Sequence, residues 1–181
     1  NMSAAGNILI IGAGPAGTHA AEVLTGHGLR PILVDEAPDS GGQIYRRQPP
    51  GFKRSAKLRY GFEAKKAEAL HACFDGLRTR IDYRSDTSVW SIENKTAFTM
   101  GPNGVDRIPF ETLLLCTGGV DRVLPIPGWT LPGVVGLGAA TVLLKAERML
   151  PGETTLVAGS GPLVAAVAAG IDPHAWVGFG C

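Results

Sequence analysis

The feature that most constrains this chain is Asn7-Ile-Leu-Ile-Ile-Gly-Ala-Gly-Pro-Ala-Gly17, an apolar run of strand character that passes directly into Gly12-x-Gly14-x-x-Gly17. The three glycines answer separate physical demands. Gly12 makes a tight strand-to-helix turn, Gly14 lets the backbone approach a pyrophosphate, and Gly17 lets the helix pack closely on the strand. Pro15 falls in the first helical turn, where a missing N–H costs nothing. The free amides of that turn and the helix dipole form an anion site. Gly12, Ala13, Gly14, Pro15, Ala16 and Gly17 are therefore read as the seat of a dinucleotide pyrophosphate.

With 25 glycines among 181 residues, such a motif can arise by chance, so the flanking sequence decides. Pro15 to His27 is compatible with a helix, and Pro31-Ile-Leu-Val-Asp35-Glu36 supplies a second strand ending in two acids. The β-α-β unit is thus closed by carboxylates placed to accept from ribose hydroxyls. Asp35 and Glu36 are both candidates; Glu36 is favoured because Leu29-Arg30-Pro31 lengthens the connection by one residue. An acid there repels a 2′-phosphate, so the first site suits FAD or NAD better than NADP.

The residues that follow narrow the cofactor. Ala37-Pro-Asp-Ser-Gly41-Gly42-Gln43-Ile44 reads as a glycine-rich loop, kept irregular by Gln48-Pro-Pro-Gly51 as far as a helical stretch near Ser55 to Cys73. An acid followed by Gly41-Gly42-Gln43 resembles the segment that runs from the adenosine end of FAD toward its flavin ring in thioredoxin-reductase-like flavoproteins. Gly42 and Gln43 are accordingly candidates for the flavin neighbourhood, beside a plainer reading in which Gln43 only braces the loop. Thr87 to Ile92, Ala97 to Met100 and Val105 to Ile108 read as a β-meander around Gly101-Pro-Asn-Gly104. An apolar strand, Thr112 to Cys116, then stops at Thr117-Gly118. In two-dinucleotide flavoproteins the matching segment returns to the FAD, which makes Thr117 and Gly118 candidates.

After a loop and a helix ending near Leu150-Pro151-Gly152, the opening pattern recurs as Thr154-Thr-Leu-Val-Ala158-Gly159-Ser-Gly161-Pro-Leu-Val164. Gly159 and Gly161 are candidates for a second nucleotide site. Its third position is Val164, where a small residue is usual, so the helix is expected to pack less closely. The expected fold class is α/β, a Rossmann-like FAD/NAD(P)-binding fold with a parallel sheet, helices and a β-meander, incomplete at the carboxyl end. Residues 1–128 are expected to form the FAD-binding domain and 129–181 the start of a second, truncated nucleotide-binding unit.

Composition excludes several classes. With 45% apolar and 18% charged residues the chain is globular, and a net charge of +1 gives no global field for nucleic acid or an anionic membrane. Arg46, Arg47, Lys53, Arg54, Lys57, Arg59, Lys65 and Lys66 face only Glu63 between positions 46 and 66, and are read as a solvated loop and helix face. No apolar run is long enough to span a membrane and no basic signal region opens the chain, so a cytoplasmic protein is expected. Cys73, Cys116 and Cys181 form no close pair, which argues against a disulfide framework, a metal site or a cluster. His19 and His27 lack a carboxylate partner at ligand spacing. Asn1 ahead of Met2 has the look of a cloning remnant. No general acid, base or nucleophile is assigned.

As a whole, residues 1 to about 169 resemble the FAD/NAD(P)-binding subunits of the opine oxidase, hydrogen cyanide synthase and dye-linked proline dehydrogenase group. The resemblance rests on Ile11-Gly-Ala-Gly-Pro-Ala-Gly17, Val34-Asp-Glu-Ala-Pro-Asp-Ser-Gly-Gly-Gln-Ile-Tyr-Arg46, Cys116-Thr-Gly-Gly with Pro125-Ile-Pro-Gly128, and Leu131-Pro-Gly-Val with Ala158-Gly-Ser-Gly-Pro-Leu163. It implies an oxidoreductase component whose FAD accepts or relays electrons beside a second flavoprotein subunit, with NAD(P) the candidate for the second site. Two departures stand out. No cysteine lies between Gly42 and Cys73, so thiol–disulfide chemistry near the flavin is not expected. After Ala169 no second strand, no ribose-reading acid and no closing FAD segment is recognised, as in a fragment or a frame-shifted product. A parallel sheet that lacks a strand exposes apolar surface, so self-association or a partner is expected. Three function classes follow: a flavoprotein component of an amino-acid, opine or glycine dehydrogenase complex; an NAD(P)H-dependent flavin reductase without the cysteine pair; and an inactive fragment or interaction module.

Overall fold

The computed structural model describes residues 7–49, 51, 53–144, 149–159, 162–171 and 177–179. The chain divides into two compact units, residues 1–47 with 53–118, and residues 48–52 with 119–181.

The first unit is built on a parallel sheet. Ile8–Ile11 (β1) leads through the glycine turn into a helix, Pro15–Gly26 (α1), and back to Ile32–Val34 (β2). Gly28, at φ +77°, ends α1 by a reversal that only glycine takes without strain. Ala56–Tyr60 (α2) and Ala64–Leu77 (α3) form a broken helical segment before Asp82–Arg84 (β3). Ser55 caps α2, its hydroxyl accepting from the Leu58 amide. The meander, Ser88–Glu93 (β4), Thr96–Gly101 (β5) and Gly104–Pro109 (β6), precedes Thr112–Leu115 (β7). The parallel order is β3-β2-β1-β7, with Leu9 beside Ile32 and Leu113. This is the Rossmann-like arrangement expected, with β3 added. That strand escapes the sequence because Asp82-Tyr-Arg84 carries two charges in three residues.

The alternation along β1 and β2 assigns each face its partner. Ile10 and Leu33 pack with Ala21, Phe74 and Leu77 under α1 and α3. Leu9 and Val34 pack with Ala97, Ile108 and Phe110 under the meander. Both faces of the sheet are covered, as a parallel sheet requires. The turn between β4 and β5 places Asn94 and Lys95 at φ +47° and +57°, a two-residue hairpin whose twist suits the flanking strands.

In the second unit, Leu137–Val142 (α4) precedes Val157–Gly159 (β8) and Pro162–Ile171 (α5). Asp121 caps α4 from a distance by accepting from the Gly138 amide at 2.5 Å. Val157, Val164 and Ala168 form a small core. One expectation is corrected here. Val177–Phe179 (β9) pairs in parallel with β8, Val157 beside Val177 and Gly159 beside Phe179, so a strand does follow α5 and the β-α-β crossover closes. Three residues containing a glycine carry no periodicity from which to read a strand.

Candidate functional site

The glycine turn between β1 and α1 leaves no room for side chains. A Cβ on Gly12, whose φ is +105°, would lie 2.3 Å from the Cys116 carbonyl oxygen, and one on Gly17 would lie 1.8 Å from the Gly12 oxygen. Helix, turn and the end of β7 thus meet backbone to backbone. Gly14 is the N-cap residue, Pro15 opens the helix, and no side chain caps it. Its first amides are therefore without intrahelical partners, aimed at whatever lies before them. Ala13 is wholly buried and Ala16 is exposed.

The two acids after β2 differ in their surroundings. Asp35 accepts from the Ala13 amide at 2.5 Å with one carboxylate oxygen and from the Ala37 amide at 2.7 Å with the other. Glu36 is exposed and makes no hydrogen bond or ion pair among the described residues.

The glycine-rich loop folds back onto the turn. The Gly41 amide donates to the Ala13 carbonyl at 2.9 Å, and a Cβ on Gly42 would sit 3.0 Å from the Gly14 Cα. Both glycines have positive φ, +116° and +59°. Gln43 is exposed, its side-chain oxygen accepting from Arg46 at 3.4 Å. Gly12, Gly14, Gly17, Gly42 and Thr117 therefore converge, with the Thr117 nitrogen 3.3 Å from where a Gly12 Cβ would stand. Gly118, at φ +76°, has open space around it.

A brace holds this loop, and the sequence reading missed it. Arg47 donates to both Asp75 oxygens, at 2.9 and 3.2 Å, and to the His71 carbonyl at 3.1 Å. Arg78 pairs with Asp39 at 2.6 Å. His71 Nε2 donates to the Tyr45 carbonyl at 2.8 Å, Tyr60 OH donates to the Arg46 carbonyl at 2.8 Å, and Tyr45 OH donates to Glu63. Burial holds the His71 imidazole below its usual range, and the bond to Glu63 pushes the Tyr45 phenol up to about 12. Arg47, grouped by sequence with a solvated basic face, is a structural pin. Only its tertiary neighbours reveal that.

In the second unit, a Cβ on Gly159 would lie 3.0 Å from Val164 Cγ2, and Val164 is buried. Gly161 lies outside the described residues. No group of three or more His, Cys, Asp or Glu among the described residues could hold a metal ion, and no described helix is long and apolar enough to cross a membrane. Cys73 and Cys116 are free, and burial pushes both thiols up, Cys73 with a further push from the Glu22 carboxylate.

The family model for pyridine nucleotide-disulphide oxidoreductases matches residues 6–171. An opine oxidase subunit of Rhizobium meliloti is 39% identical over 87% of this chain and 31% of its own length. Hydrogen cyanide synthase subunit HcnB of Pseudomonas protegens is 34% identical over 90% of this chain and 35% of its own. The chain thus spans about a third of the length of these relatives. Among solved structures, L-proline dehydrogenase from P. horikoshii shares the fold, with a TM-score of 0.69 at 23% identity over 86% of this chain and 31% of that one. A glycine turn closed against the end of β7, within a chain matched by the family model from residue 6 to residue 171, makes this protein a member of the pyridine nucleotide-disulphide oxidoreductase family.

Proposed function

We propose that the chain is the FAD-binding part of an oxidoreductase component of the amino-acid, opine or glycine dehydrogenase or oxidase type. The observation that carries this reading is the cradle at Gly12, Gly14 and Gly17, which any Cβ on Gly12 or Gly17 would fill with backbone overlap. FAD fits it: the pyrophosphate against the amides of Gly14, Ala16 and Gly17, the ribose on Glu36, and the flavin end toward Gly42, Gln43, Thr117 and Gly118. When bound, FAD supplies the redox chemistry, and the chain supplies orientation and electrostatics. Residues 1–128 are assigned to the FAD-binding domain and 129–181 to a second nucleotide-binding unit at Gly159 and Gly161. A second flavoprotein subunit, or a second copy of the chain, is the proposed partner, in line with the subunit names of the relatives.

The alternative, an NAD(P)H-dependent flavin reductase, requires a working second site. Val164 argues against one. Its branched side chain fills the space beside Gly159, where the first unit has Gly17 against Gly12, so α5 cannot seat as closely on its turn. The raised thiols of Cys73 and Cys116 argue in addition against a thiol–disulfide variant. A visible spectrum of the purified chain, followed by identification of the nucleotide it releases, tests the reading. Flavin bands and released FAD, both lost in Gly14→Leu, are expected. A colourless chain that added FAD cannot reconstitute removes the reading and leaves the interaction module.

A further inference from the structure

We infer that Asp35 is a positioning residue for the phosphate turn, a clamp distinct in role from its neighbour Glu36; the inference rests on the dinucleotide reading above.

The last ladder bond of β1 is made by Gly12, whose amide donates to the Val34 carbonyl at 2.8 Å. At Ala13 the chain has left the sheet, and its fully buried amide would be orphaned there, which costs about 1–3 kcal/mol. Asp35 supplies the missing acceptor, and the Ala13 carbonyl is taken by the Gly41 amide. Both polar groups of Ala13 are thus spent on neighbouring segments. Asp35 is committed in the same way. Its second carboxylate oxygen holds the Ala37 amide, its own amide donates to the Arg84 carbonyl at 3.0 Å, and its carbonyl accepts from Thr87 at 2.9 Å. One side chain therefore ties the turn before α1 to the start of the glycine-rich loop, and its backbone ties both to the end of β3 and the segment after it.

Each oxygen of the Asp35 carboxylate already accepts one amide and keeps only its second lone pair for any other donor. Glu36, exposed and unpartnered among the described residues, has its whole carboxylate available to a ribose. The consecutive acids divide the work: Glu36 meets the sugar, while Asp35 fixes the turn on which a pyrophosphate rests. Asparagine cannot replace it, because one of its two terminal atoms is a donor and would oppose one of the two amides.

The experiment compares ADP with adenosine as probes for the full chain, by calorimetry for ADP and ligand-observed NMR for adenosine. In Asp35→Asn, ADP affinity is expected to fall about tenfold or more while adenosine affinity stays within about twofold. In Glu36→Gln both ligands weaken together. Equal losses for both ligands in Asp35→Asn, as a ribose contact or a general loss of structure would give, overturn the clamp. So does an ADP affinity that is unchanged or rises. The unmutated chain offers a second check: the Ala13 amide proton is expected to be shifted downfield and protected from exchange, and rapid exchange there refutes the bond. Failure of the unmutated chain to bind either probe, with Ala13 protected, strikes the dinucleotide reading instead and removes the clamp's purpose with it.

Discussion

Two glycines and two acids carry most of the site. Gly17 is the tightest point, since a Cβ there would lie 1.8 Å from the Gly12 oxygen and 3.0 Å from its carbonyl carbon, both backbone atoms that cannot swing aside. Gly17→Ala is expected to push α1 off the turn, destabilise the fold by about 1–3 kcal/mol and abolish flavin retention. Denaturant titration with the visible spectrum measures both. At this scale the sequence was legible wherever a residue type is obligatory, as at Gly12 and Gly17. It favoured Glu36 over Asp35 only by the length of the connection, because the contact that distinguishes them in the fold is which one accepts from the Ala13 amide. That depends on the turn closing over it.

Among the elements, the brace between α3 and the glycine-rich loop has a pH signature. Burial is the main reason the folded chain resists protonating His71; the bond to the Tyr45 carbonyl and the Asp75 charge oppose it, while the nearby Arg47 and Arg59 add to it. A depressed folded pKa means that the unfolded chain binds the proton first. The stability His71 contributes is present above its ordinary value of 6.5 and is lost as the pH falls below it. Urea midpoints measured from pH 8 to pH 5 are expected to fall more steeply in the parent chain than in His71→Gln. The β4–β5 hairpin offers a gain. Lys95 sits at φ +57°, a conformation that costs a side chain about 1 kcal/mol, while its exposed ion pair with Glu111 contributes little. Lys95→Gly is expected to stabilise the chain by roughly 0.5 kcal/mol in thermal unfolding. The meander was readable from its alternation and turn residues. The brace was not, because Arg47, His71 and Asp75 meet only when α3 lies beside the loop.

At the scale of the whole molecule, the segment from Val120 to Val135 carries Val120, Leu124, Ile126 and Leu131 in the open, with Val120 97% exposed. Four apolar side chains so exposed within one short segment favour association. The chain is expected to self-associate at micromolar concentration in sedimentation experiments. Replacing Val120, Leu124 and Ile126 together by serine should shift it toward monomer. A monodisperse monomer in the parent chain at those concentrations removes this expectation.

What the sequence determined by itself was everything dictated by local geometry: the glycine turn, the strand that feeds it, the alternation of the meander and the family these imply. Such features require particular residue types at fixed spacing, and spacing survives in one dimension. Tertiary structure alone decided the rest. It added β3 and β9, turned Arg47 from a surface charge into a pin, buried Val164 beside Gly159, and set Asp35 on the Ala13 amide. Each of these depends on which distant part of the chain comes within hydrogen-bond or van der Waals reach, and no spacing along the sequence records that.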